Sequence, residues 1–193
     1  MAVQMNIFPE CNVDTNLVGH ILGGYVKHKS TCNEVAKAVN GSDAFAIGII
    51  DADKRHATMD AGFKEYQLPQ PVDGVTRHVR LFLHEDGKRY MFTVYKAMDT
   101  FIYNAAIDQQ ADMEPFGNPR DVKDFLKYTK SVQAETDPRL RQLFTEIKDY
   151  PELMRFRNTL RYLQAKKYNA DPEVVKAFFD GTLGNDDLTR LAY

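Results

Sequence analysis

Ala44-Phe45-Ala46-Ile47-Gly48-Ile49-Ile50-Asp51-Ala52-Asp53 is the stretch on which the fold turns. An uninterrupted apolar run from Ala44 to Ile50 reads as a strand buried on both faces, the position of an interior strand in a parallel sheet. The run is far too short to span a bilayer, which takes about 20 apolar residues. It stops abruptly at two aspartates. Open α/β sheets bind ligands just outside the carboxyl ends of their strands, so Asp51 and Asp53 fall where such a fold places its site.

Working outward, Val3 to Phe8 reads as a first strand that leads into Pro9-Glu10. Asp14-Thr15-Asn16 is a cluster of helix-capping residues, and Leu17, Val18, Ile21, Leu22, Tyr25 and Val26 follow at helical spacing. A second helix is expected from the capping box Thr31-x-x-Glu34 to Asn40-Gly41. Beyond Asp53, residues 56–76 read as a long loop or lid. Val79 to His84 and Tyr90 to Tyr95 then flank Asp86-Gly87 and form a predicted hairpin.

From Asp99 the pattern is helical. Asn118-Pro119, Asp137-Pro138 and Asp171-Pro172 each pair a cap with a proline suited to the first helical turn, and another helix starts near Pro151. Val122, Phe125, Leu126, Thr129 and Val132 are expected to share one apolar stripe. The predicted architecture is α/β: a mostly parallel sheet with an added hairpin over residues 1–112, with a helical C-terminal region, residues 113–193, packed on it.

Composition narrows the function. The chain has 193 residues, 44% hydrophobic and 27% charged, which excludes fibrous and disordered classes. Two cysteines, Cys11 and Cys32, and scattered histidines supply no zinc spacing, so both thiols are expected to be free. No basic segment followed by an apolar one leads the chain, and a cytoplasmic protein is expected. The net charge of -2 is unevenly spread, with the surplus of Lys and Arg confined to residues 120–167.

The candidate chemistry rests on carboxylates. If the first strand and the apolar strand are parallel neighbours, Glu10, Asp51 and Asp53 converge on one edge. Aspartates at i and i+2 suit a hard divalent cation, and Glu10 is placed to act as general acid or base or to share the metal. Asp14, Asp99 and Lys54 are accessory candidates. Asp14 and Asp99 read equally as helix-capping acids, and Lys54 as a charge neutralising its aspartate neighbours.

Glu10-Cys11-Asn12-Val13-Asp14 followed by a helix resembles the first motif of the TOPRIM family, usually Glu-Gly-x-x-Asp. Asp51-Ala52-Asp53 resembles that family's Asp-x-Asp motif, and the order and spacing are similar to those of small RNA-maturation nucleases and OLD-type nuclease domains. The resemblance covers residues 1 to about 100. It implies a Rossmann-like TOPRIM sheet, Mg²⁺ (or Mn²⁺) held by Asp51 and Asp53, and phosphodiester chemistry assisted by Glu10. Cys11 stands where the family commonly has glycine.

Arg155, Arg157, Arg161, Lys166 and Lys167 surround the stripe Leu153, Phe156, Leu160 and Leu163, with Tyr162 and Tyr168 among them. Basic residues interleaved with aromatics suit a single strand of DNA or RNA. The expected function is a metal-dependent nuclease. The alternative is a non-catalytic TOPRIM-like or flavodoxin-like module that binds a protein partner, and a homo-oligomer is left open.

Overall fold

The apolar run is an interior strand of a five-stranded sheet in the computed structural model, which describes residues 6–24, 26–52, 58–68, 78–118 and 121–192. The chain begins with β1 (Ile7–Pro9), α1 (Asn12–Leu22), α2 (Cys32–Asn40) and β2 (Ala46–Ala52). It continues through β3 (Phe63–Glu65), β4 (Val79–His84), β5 (Arg89–Tyr95) and α3 (Met98–Asp108). The helices α4 (Val122–Thr129), α5 (Pro138–Glu146), α6 (Pro151–Lys166), α7 (Pro172–Asp180) and α8 (Asn185–Ala192) complete it.

The strand order is β1-β2-β5-β4-β3. β2 pairs in parallel with β1, through Ile7↔Ile47, and with β5, from Ala46↔Arg89 to Ala52↔Tyr95. β4 is antiparallel to both β5 and β3. The sheet is therefore mixed, and the expectation of a mostly parallel sheet is corrected. The added strand is β3, inside the stretch read as a loop. Three residues with one aromatic carry no measurable period, and β3 exists because it pairs with β4 through Phe63↔His84 and Glu65↔Phe82. Gly62 makes this pairing feasible, since a Cβ there would collide with the His84 imidazole.

Both faces of β2 are covered, as its composition requires. Ile47 and Ile49 join Tyr90, Phe92 and Val94 in a core shared with α1, α3 and α6. Ala46, Ile50 and Met91 pack on the other face against Cys32, Val35, Ala36 and Val39 of α2. Gly48 lets α2 approach closely, because Met91 and Val35 occupy the space a Cβ would take. The larger core is continuous from Ile7 to Ala192, and Phe156 of α6 meets Phe92 of β5 edge-on at 5.2 Å.

Several helix boundaries differ from expectation. α1 begins at Asn12 with Cys11 as its cap, so Asp14 lies inside the first turn. α4 is capped by Asp121, which accepts the Lys123 N–H at 2.9 Å, instead of by Asn118. That helix ends at Thr129, and Val132 is 79% exposed in a following 3-10 turn, off the predicted stripe. Asp137 and Asp171 cap α5 and α7 as expected. The helical region grips α1 through buried Asn16, which donates to Ala134 O at 2.8 Å and Asp137 O at 3.0 Å and accepts from Arg141 Nε at 3.0 Å. No helix among the described residues is long and apolar enough to cross a membrane.

Candidate active site

Parallel pairing of β1 with β2 brings Glu10 to Asp51. The Glu10 carboxylate accepts the Asp51 backbone N–H through Oε2 at 2.9 Å, a contact that spans 41 positions of sequence. Asp51 lies within β2, one residue before its end, and on the face that carries Ile47 and Ile49. Its Oδ1 accepts the Met98 N–H at 2.9 Å. That bond has a local cause. α3 is capped by Ala97, whose side chain cannot accept a hydrogen bond, so a carboxylate from the neighbouring strand satisfies the orphan N–H.

α1 begins at the same edge. Cys11 Sγ donates to Asp14 Oδ1 at 2.8 Å and Cys11 N donates to Asp14 Oδ2 at 3.3 Å, so the aspartate reaches back over the first turn as the acid of a capping box does. Cys11 has φ -126 and ψ 175, extended backbone open to any residue, so glycine's conformational freedom is not required here. Asp99 lies in the first turn of α3. Its Oδ1 accepts the Thr100 N–H at 2.7 Å, and Thr129 Oγ1 sits 3.4 Å from its Oδ2.

Glu10, Asp14, Asp51 and Asp99 thus form one electrostatic cluster. Burial pushes the Asp51 carboxyl up to about 9, the Asp14, Glu10 and Asp99 charges add to the rise, and the Met98 N–H opposes it. Burial likewise raises Asp14 to about 7, against the Cys11 hydrogen bonds. Asp99 is raised by burial, with the Thr100 N–H and the nearby Lys130 charge opposing. Two helix N-termini face these acids, yet desolvation and mutual repulsion outweigh the favourable dipoles.

Burial, reinforced by Asp14 and Asp51, also pushes the Cys11 thiol well above its ordinary value. Cys11 is therefore a protonated hydrogen-bond donor, with little thiolate for nucleophilic chemistry. Iodoacetamide at pH 8 is expected to label Cys11 at less than about a tenth of the rate seen in urea. Labelling of the folded protein at the unfolded rate, read by peptide mass spectrometry, contradicts this placement.

Asp53 and Lys54 lie outside the described residues. Among the described residues, no three His, Cys, Asp or Glu side chains are grouped to hold a metal ion. Glu10 and Asp51 come together as expected, and Asp14 and Asp99 join them. Thr129 and Lys130 escaped sequence reasoning. They come from the helical region, and nothing in their local pattern announces the edge they reach.

The basic residues of α6 are not brought to this edge. Arg161 Nε donates to Ile21 O at 2.9 Å, at the far end of α1 from Glu10. Ten residues of helix separate Cys11 from Ile21, roughly 15 Å at the α-helical rise. Arg157 donates to Lys148 O at 3.2 Å and to Asn185 Oδ1 at 2.7 Å. Arg155 packs against Gly181. Lys166 ends α6 and Lys167 opens the 3-10 turn that carries Tyr168, whose ring meets Phe45 just ahead of β2 at the opposite edge of the sheet.

No family model, curated protein or solved structure matches this chain.

Proposed function

We propose that this protein is a divalent-metal-dependent, phosphodiester-cleaving enzyme of TOPRIM type that acts on DNA or RNA. The observation that carries the reading is the convergence of Glu10 and Asp51 at the carboxyl edge of parallel strands, with Asp14 and Asp99 close enough to raise the Asp51 carboxyl. Partly buried acids that repel one another are a set that a cation relieves. The donors are hard oxygens, which suits Mg²⁺ or Mn²⁺. Mg²⁺ keeps several waters and needs only one or two protein carboxylates, so Glu10 and Asp51 would be enough to hold it, and Asp53 is the further ligand that the Asp-x-Asp pattern offers.

A bound ion supplies charge stabilisation at phosphoryl oxygens and lowers the pKa of a coordinated water. The chain's own groups divide the remaining work. Asp51 is fixed by the Met98 N–H at the start of α3, so its carboxylate is held in one orientation. Glu10, tied to the Asp51 N–H, accepts or returns a proton at its carboxylate. Asp14 and Cys11 fix the turn that carries Glu10 out of β1.

The test is incubation of the purified protein with single- and double-stranded DNA and RNA in Mg²⁺, Mn²⁺ or chelator, beside Glu10→Gln, Asp51→Asn and Asp53→Asn. Metal-dependent cleavage is expected, with kcat reduced at least about a hundredfold in the Asp51 and Glu10 variants. Absence of cleavage with every polymer and both metals overturns the reading in favour of a partner-binding module.

A further inference from the structure

The acidic edge needs a surface that holds a polyanion, and the basic face of α6 lies elsewhere. The corner between β5 and α3 lies closer. β5 is buried from Tyr90 to Val94, but its last residue, Tyr95, is 46% exposed. Tyr95 pairs in register with Ala52, beside the Asp51↔Val94 pair, so it stands at the edge that carries Asp51. Strand alternation sends Asp51 toward α3 and Tyr95 toward the α2 face, and a chain laid over the edge touches both.

Lys96 follows, exposed, with φ 62. Left-handed backbone is unfavourable for a lysine by about 1 kcal/mol, and glycine would relieve it, so the cation stands here at a local conformational cost. Two residues later the Met98 N–H meets Asp51. From the end of α4, Thr129 reaches Asp99, and the next residue, Lys130, is exposed and close enough for its charge to act on Asp99. An exposed aromatic ring and two exposed lysines therefore lie within a few residues of the groups that contact Asp51 and Asp99.

We propose that Tyr95, Lys96 and Lys130 carry a single-stranded nucleic acid across the acidic edge, with an unpaired base stacked on Tyr95 and flanking phosphates on the two lysines. This path rests on the phosphodiester reading above. It places the scissile link between Tyr95 and Lys130, over Asp51. Stacking on one face of a ring tolerates any base, so the path confers preference for single strands without sequence selection.

The test is fluorescence anisotropy with labelled oligothymidylate and oligouridylate in an Asp51→Asn background, which does not turn the probe over, across a salt series. Tyr95→Ala is expected to weaken binding about tenfold and Tyr95→Phe to leave it within about twofold. Lys96→Gly and Lys130→Gln are each expected to reduce the slope of log affinity against log salt by about 0.7. Lys96→Gly also relaxes the left-handed residue, so its loss of binding arrives without loss of thermal stability. In the otherwise wild-type chain, Tyr95→Ala is expected to raise KM with kcat nearly unchanged. Cleavage by the wild type with unaltered binding in all four variants overturns the path and leaves the nuclease reading standing. Binding that falls as described in a protein without cleavage supports the path and removes the nuclease reading, and absence of both overturns the two together.

Discussion

The Asp51→Asn variant is expected to melt about 5 °C above the wild-type protein at pH 8, in metal-free buffer, while losing the proposed activity. The direction follows from the raised carboxyl. Its ordinary value is 3.8 and the folded value is about 9, so between these limits the folded state retains a proton that the unfolded state has released. Stability contributed by this group therefore falls as pH rises from about 4 toward 9. Asparagine keeps the acceptor for the Met98 N–H and removes the charge, so the advantage of the variant grows across that window and vanishes near pH 4. Asp51 keeps partial contact with solvent, which holds the penalty to about 2 kcal/mol, and this size of protein moves about 2–4 °C per kcal/mol.

The same argument applies to the ion. Mg²⁺ at the cluster is expected to raise the wild-type melting temperature at pH 8 and leave Asp51→Asn nearly unmoved, because binding to the folded state alone is stabilising. Scanning calorimetry at pH 4, 6 and 8, with and without Mg²⁺, provides the check. A variant that melts at or below the wild type at pH 8 shows that burial beside the other acids does not raise the Asp51 carboxyl as described.

How far the site was legible depends on whether each contact is encoded locally. β2 was plain because both its faces are apolar, and the Glu10–Asp51 encounter follows once β1 lies parallel to it. Asp14 acts one turn away from the cap position its neighbours suggest. It looks like a cap beside Thr15 and Asn16, whereas Cys11 takes the cap position and uses Asp14 as its partner. Asp99 was visible as an ambiguous acid, and only the docking of α4, through Thr129, gives it a second partner. The basic stripe of α6 was real in sequence, but hydrogen bonds to Ile21 and Lys148 carbonyls direct two of its guanidinium groups inward. Sequence periodicity reports which face of a helix is polar and carries no information on whether backbone carbonyls or phosphates meet that face. β3 was invisible for the converse reason, since its identity lies entirely in the strand beside it.

Replacement of Glu152 by alanine should lower stability by about 3–5 kcal/mol, a fall of roughly 10 °C in melting temperature, the largest effect expected of any single change here. Glu152 is buried in the first turn of α6 and serves as the anchor for the start of β4. Its Oε1 accepts the His78 N–H at 2.7 Å and the Val79 N–H at 2.8 Å, and its Oε2 lies 3.1 Å from His78 Nδ1. Alanine leaves two backbone donors and an imidazole without their acceptor in a largely buried site, and each orphaned group carries its own desolvation penalty. Glutamine keeps the oxygen that both backbone N–H groups use and is expected to lose only about 1 kcal/mol. The consequence reaches the proposed nucleic-acid path, because His78 O accepts the Tyr95 N–H at 2.6 Å and so holds the end of β5 in place. Urea unfolding of Glu152→Ala and Glu152→Gln separates the two contributions. An alanine variant within about 1 kcal/mol of the wild type removes Glu152 as the anchor; a large loss in alanine with a small one in glutamine identifies the paired backbone donors as what Glu152 holds.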